Sequence, residues 1–168
     1  MGMKILKLKY HVAAFFRVLL YKTLFGGNFS VGGGTTFRRF FNIYLEKGAS
    51  IKIGRECFFN HGCSLNALER IEIGDGCIFG ENVKIYDHNH RFADTGQRIK
   101  EQGYSTAPIF IGNRCWFGSN AVILKGACIG NNCVIGAGCI IAQRIPDNSI
   151  VTADRQISVE TIHRKDTE

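Results

Sequence analysis

Residues 111–141, IGNRCWFGSNAVILKGACIGNNCVIGAGCII, decide the fold. Every sixth residue from Ile111 is large and apolar: Ile111, Phe117, Ile123, Ile129, Ile135 and Ile141. Gly follows four of them, as Gly112, Gly118, Gly130 and Gly136. The same frame runs upstream through Ile73, Phe79 and Ile85 and, after a two-residue slip, through Ile53, Phe59 and Leu65. The slip itself recurs, because Leu45, Ile51 and Ile53 return twenty residues on as Leu65, Ile71 and Ile73. The fifth place of each hexad reads Cys57, Cys63, Glu69, Cys77, Val83, Asn89, Cys115, Ala121, Ala127, Cys133, Cys139 and Ile145, apolar and mostly small but for Glu69 and Asn89. A period of six with one large and one small inward residue fits neither a helix nor a simple alternating strand. It describes a coil of short parallel strands, three hexads to a triangular turn, with glycine where the corners need unusual backbone angles.

The coil accounts for the cysteines. Six of the seven hold the small inward place, where a thiol packs as a small hydrophobe. Their spacing is that of the repeat, with no C-x-x-C pair, so a thiolate metal site is not expected. Unpaired thiols in this number point to a reducing compartment, hence to the cytoplasm.

The frame breaks once at length. After the hexad 85–90 the next should start at residue 91, yet the pattern resumes at Ile111. The inserted residues are polar and begin beside His88 and His90, in the stretch IYDHNHRF (85–92). Long insertions in a strict repeat are usually functional. An extruded loop is therefore expected near residues 91–108.

The net charge of +7 is uneven. Residues 1–45 hold Lys4, Lys7, Lys9, Arg17, Lys22, Arg38 and Arg39 with no acid before Glu46. The remaining 14 basic residues are balanced by all 14 acids. A basic stripe on the folded body, as in a nucleic-acid binder, is thus absent. Within this end, Leu8, Val12, Phe15, Phe16, Leu19, Leu20 and Leu24 have the spacing of an amphipathic helix. Arg17 and Lys22 interrupt it, so it is too short and charged to span a bilayer, and it lacks the cleavage site of a signal peptide. Its apolar stripe has two readings: packing on the body or a neighbouring subunit, or resting on anionic lipid through its lysines. The chain thereby divides into a basic helix (1–27), a coil (28–152) and a tail (153–168).

The chain resembles the hexapeptide-repeat acyltransferases, over roughly residues 45–150. The fold the resemblance implies is all-β, a left-handed parallel β-helix. Within that family it looks like the maltose, galactoside and virginiamycin acetyltransferases and the O-acetyltransferases of bacterial surface polysaccharides. The resemblance implies a homotrimer with active sites between subunits and acetyl-CoA as co-substrate, with no metal. The acceptor is a sugar or glycan hydroxyl, and the setting is cell-surface polysaccharide biosynthesis on the inner side of the cytoplasmic membrane.

Residue by residue, Tyr86-Asp87-His88-Asn89-His90 matches the Y-x-x-x-H element before the family's loop, which makes His90 the general base, with His88 the second choice. Histidine suits the task because it is neutral near pH 7 and can take a hydroxyl proton. Asp87 could orient either ring, and Tyr86 joins it on the acceptor side. Cys115-Trp116-Phe117-Gly118-Ser119 resembles the family's W-I-G stretch, placing Trp116 at the acceptor or pantetheine end and Gly118 and Ser119 on CoA. Ala137 falls where relatives meet CoA through the backbone. Asn60 matches an acceptor-binding Asn of the galactoside enzymes; a turn-forming Asn is the equal alternative. The chain departs from the family at Ala142-Gln143-Arg144-Ile145-Pro146, where Arg144 stands in for a basic residue on the CoA phosphates. It departs again at Val151-Thr152-Ala153-Asp154-Arg155-Gln156, which removes the usual adenine-end segment. Arg155, Arg164 and Lys165 of the tail read as solvated.

Three rivals are weaker. A γ-class carbonic anhydrase uses two histidines separated by four residues, and His61, His88 and His90 provide no such pair. An N-acetyltransferase of a nucleotide-linked amino sugar would need the same base. A non-catalytic scaffold leaves the coincidence of loop and histidines unexplained. Gly74-Asp75-Gly76 lacks the third glycine of a dinucleotide site, Phe79 standing there.

Overall fold

A residue that must be apolar every six positions can be buried only if the chain returns to the same axis at that interval. The computed structural model describes the backbone of residues 2–153 and the side chains of 9–153; most of the tail, with Arg155, Arg164 and Lys165, lies outside the described residues. The coil has three faces. Phe29–Val31, Ser50–Ile53, Arg70–Ile73, Ile109–Ile111, Cys128–Ile129 and Arg144–Ile145 stack on the first. Thr36–Phe37, Phe58–Phe59, Ile78–Phe79, Trp116–Phe117, Val134–Ile135 and Ile150–Val151 stack on the second. Asn42–Leu45, Ser64–Ala67, Lys84–Tyr86, Val122–Leu124 and Ile140–Ile141 form the third. Neighbours on each face are parallel, with like hexad positions in register, as in Phe59 beside Phe79 and Ile85 beside Ile123.

The first turn carries the same frame, Val31, Phe37 and Ile43 pairing with Ile53, Phe59 and Leu65. One feature differs from the reading of the sequence: Ile145 does not fill the small fifth place. It pairs with Ile129 and opens a new face, because the preceding face is shortened to four residues; that is why a large side chain fits there.

Inside, Phe37, Phe59, Phe79 and Phe117 form a column on the second face, the last three rings stacked almost parallel with centroids 4.3 and 4.7 Å apart. Truncating such a ring costs on the order of 3–5 kcal/mol. At one corner the Cys57, Cys77, Cys115 and Cys133 thiols each donate to a carbonyl of the following coil, at 3.0–3.1 Å. Contact with the Cys77 thiol draws the Cys115 thiol below its ordinary pKa. All seven cysteines are free. The corner itself is tight: a Cβ on Gly112 would sit 2.7 Å from the carbonyl carbon of Gly130, so any side chain there meets backbone. Beside it, Asp75, Asn113, Asn131 and Asp147 form a ladder, each side-chain oxygen accepting the amide of the residue one coil before at 2.7–2.9 Å.

The helix α1 (Gly2–Phe25) covers the first coil. Ala14 is buried, and Val18, Tyr21 and Phe25 pack on the core. Arg17 Nη1 donates to the Arg38 carbonyl at 2.9 Å, and Tyr21 stacks edge-on against Phe29. The helix thus packs on the body, one of the two readings of the sequence, but not through the stripe named there. The body takes the face Tyr10–Ala14–Val18–Tyr21–Phe25, while Val12, Phe15, Phe16, Leu19, Leu20 and Leu24 all point outward. Both faces of α1 are apolar, and the spacing of the more hydrophobic one drew attention from the one that packs. The Leu8, Lys4 and Lys7 side chains lie outside the described residues.

Candidate active site

The corner between the third and first faces is where the coil becomes irregular. In the second coil it is widened by Leu68 and Glu69, which explains why Glu69 is exposed and not inward. That wide turn is held from the next coil by Asp87, whose side chain is wholly buried. Its carboxylate accepts the amides of Leu68, Glu69 and Arg70 at 2.8, 2.8 and 2.7 Å. Such charge-assisted bonds repay burial of the carboxylate.

From Asp87 the chain leaves the coil. The extrusion is a β-hairpin, not a loop starting after His90: His88–His90 pairs antiparallel with Tyr104–Thr106, so both histidines stand on its first strand. This is why Asn89, expected inward, is exposed. The hairpin base is tied by the Ala107 amide to the Asp87 carbonyl and by Lys125 Nζ to Ser105 Oγ at 2.6 Å. Its tip is closed by Gln102, which bonds both the amide and the carbonyl of Asp94.

The two imidazoles differ. His88 is largely enclosed, with Nδ1 3.2 Å from Asp87 Oδ1. That contact leaves Nε2 as the other reactive position. His90 is exposed, and its ring lies 4.5 Å from the ring of Tyr104, which also meets His88 edge-on at 5.4 Å. Tyr104 thus touches both rings, a residue that sequence reading missed because its partners lie across a hairpin. Two neighbours on the outer side of the third face were missed likewise. Ser64 Oγ lies 3.1 Å from the Tyr86 hydroxyl, and the Asn66 side-chain oxygen is buried without a protein partner. Asn66 stands beside Tyr86 in register, so the only signal for it is knowledge of which coils stack.

Gly118, Ser119 and Ala137 lie at the opposite corner, between the second and third faces. Ser119 Oγ accepts the Glu81 amide at 3.2 Å, and its carbonyl accepts that of Gly138. A Cβ on Gly118 would come within 2.5 Å of the Ala137 nitrogen, so these two residues meet backbone to backbone. Trp116 precedes them on the second face with half its surface exposed, flanked by Ile78 and Val134. Asn60 is at this same corner two coils earlier, its side-chain oxygen accepting the His61 amide at 2.9 Å. Arg144 is elsewhere, exposed on the first face.

The expected residues therefore form two groups within one chain. Tyr86, Asp87, His88 and His90 follow the strands of the third face; Trp116, Gly118, Ser119 and Ala137 precede them. The strand Val122–Leu124 of the third face lies between the two groups. Among the described residues, no cluster of three or more His, Cys, Asp or Glu could hold a metal ion, and no helix is long and apolar enough to cross a membrane.

Comparison with known proteins agrees with this architecture. The bacterial transferase hexapeptide (six repeats) family matches residues 108–143. A galactoside O-acetyltransferase of Escherichia coli is 36% identical over 110 residues, covering 64% of this chain and 52% of that protein. A putative lipopolysaccharide biosynthesis O-acetyl transferase of the same species is 25% identical, covering 76% and 65%. A hexapeptide-repeat acetyltransferase of Vibrio cholerae, solved with acetyl coenzyme A, superposes with a TM-score of 0.66 at 27% identity, over 80% of this chain and 69% of that one. The chain spans about half the length of the curated relatives it matches. Its coil is the left-handed parallel β-helix of these acetyltransferases.

Proposed function

We propose that this hexapeptide-repeat protein is an acetyl-CoA-dependent O-acetyltransferase acting on a sugar hydroxyl in cell-surface polysaccharide synthesis. One observation carries the reading: the long departure from the coil is a hairpin that presents an exposed histidine and is anchored by a buried carboxylate. A coil needs no such hairpin for its stability. The similarity to galactoside and lipopolysaccharide O-acetyltransferases supports the acceptor class, and the acetyl-CoA complex of the Vibrio relative supports the donor.

In this reading the enzyme is a homotrimer working in the cytoplasm, where its free thiols are stable. The two groups of residues, separated in one chain, meet across a subunit boundary. One subunit supplies His90, with Tyr86 and Asp87 on the acceptor side. Its neighbour supplies Trp116, the Gly118–Ser119 corner and Ala137 along the CoA arm, with Arg144 reaching the phosphates. His90 takes the proton of the acceptor hydroxyl as its oxygen attacks the thioester carbonyl. The tetrahedral intermediate collapses with loss of CoA thiolate, which recovers that proton. Holding both substrates in one cleft removes the need for an acyl-enzyme.

A second reading exchanges the two histidines. His88 has the carboxylate contact that orients a catalytic imidazole, which His90 lacks among the described residues. The deciding experiment is acetyl transfer to a panel of sugar acceptors, with His90→Ala and His88→Ala compared at saturating acetyl-CoA. Loss of turnover in His90→Ala with retained CoA binding supports the first reading. Loss only in His88→Ala supports the second. Absence of acetyl-CoA binding by the unaltered protein refutes both.

A further inference from the structure

We infer that the outward face of α1 is a docking surface for an anionic lipid bilayer. The inward face of this helix is fully used. Tyr10, Ala14, Arg17, Val18, Tyr21 and Phe25 lie against the first coil and its neighbour. The other side carries Val12, Phe15, Phe16, Leu19, Leu20 and Leu24, exposed by 49–65%. At 100° per residue these six cover half the circumference, and they run about 18 Å along the axis. A surface helix of a soluble protein normally turns charge to that side. An apolar stripe of this size marks a site of contact.

Charge identifies the occupant. Residues 1–45 contain seven Lys and Arg and no acid. Lys9 and Lys22 are exposed on α1 itself, where they border or interrupt the stripe, and Arg39 is exposed nearby. A second copy of the chain would bring two uncompensated basic segments together. The rest of the sequence is neutral, 14 against 14, and provides no acidic excess to receive one. Lysine is also depleted from subunit interfaces. A bilayer bearing anionic headgroups meets both demands, since the aromatic and leucine side chains enter the acyl boundary while the lysines stay at headgroup level. The helix is not apolar enough to cross a membrane, so it lies in the interface. The inference stands apart from the proposed chemistry, because vesicle binding is read without any turnover.

The test uses the full chain in co-sedimentation with phosphatidylcholine vesicles with and without phosphatidylglycerol. The expected result is pelleting with the anionic vesicles only, weakened several-fold at about 0.5 M salt. The Phe16→Ser/Leu20→Ser variant should lose at least about tenfold in partitioning, with unchanged circular dichroism and unchanged mass by light scattering. Should that variant fail to fold, Lys9→Glu/Lys22→Glu reads the same surface and should also release the protein. No binding to anionic vesicles, or full binding by a folded variant, overturns the inference. A fall in oligomeric mass on Phe16→Ser/Leu20→Ser overturns it in favour of a subunit contact, and binding to a DNA duplex that survives both variants would show that the charge serves another polyanion.

Discussion

The Asp87 carboxylate lies 3.2 Å from His88 Nδ1 while its two oxygens also accept three amides of the coil before it. A single buried side chain thus ties a turn of the body to the strand that carries both histidines.

Replacing Asp87 by Ala leaves three amides and one imidazole without their acceptor. With about 1–3 kcal/mol for each unsatisfied buried donor, a loss of at least 3 kcal/mol is expected. Urea unfolding would show it as a lower midpoint at unchanged slope. Asp87→Asn keeps the volume but turns an amide donor toward one backbone N–H, so a smaller loss is expected, together with a weaker hold on the His88 ring.

His90→Ala should lower kcat by about 10²–10⁴, leaving the affinity for acetyl-CoA unchanged. His88→Ala should shift kcat less, through loss of the ring packed edge-on against Tyr104. Stopped assays over pH 5–9, reading the two variants side by side, separate a base from a neighbour that positions it.

If the site is shared between subunits, two inactive variants should complement each other. Co-expressing His90→Ala with Trp116→Ala chains would leave about a quarter of the sites with both residues intact. Recovered activity near that fraction is the expected outcome. Activity no higher than in the separate variants would place the whole site in one chain.

Asp147 closes the Asx ladder, and the Asn131 amide it accepts, aided by the Asn131 side chain, holds its pKa below the usual carboxylate range. A depressed folded-state pKa stabilises the protein above the ordinary carboxylate value and ceases to do so as pH falls through the depressed one. Asp147→Asn should therefore flatten the decline in melting temperature below about pH 4. Little loss is expected at pH 7, because Asn113 and Asn131 fill the same rung in the coils before it.

The coil was legible because burial in it is one-dimensional: a residue every six positions has to reach the axis, and Ile, Leu, Val or Phe stands at each. The first turn obeys the same rule through Val31, Phe37 and Ile43. The hairpin was foreseen as an interruption, yet its start at His88 was not, since departure is set by where Asp87 finds its three amides on another coil. Stacking also hid Asn66, Ser64 and Tyr104, whose partners lie 20, 22 and about 15 residues away. The helix shows the limit most clearly. Spacing revealed an apolar stripe on α1, and only the packing of Ala14 and Tyr21 revealed that the stripe looks away from the body.

The same helix has a second consequence, for assembly. Among the described residues, the strands Phe29–Val31 and Thr36–Phe37 have a strand partner on one side only, so the first coil ends in a row of backbone groups ready to template another strand. Ala14, Val18 and Tyr21 lie over that end, and Arg17 occupies the Arg38 carbonyl. By acting as a stopper, α1 keeps a solenoid whose coils repeat almost identically from growing end to end into a fibre.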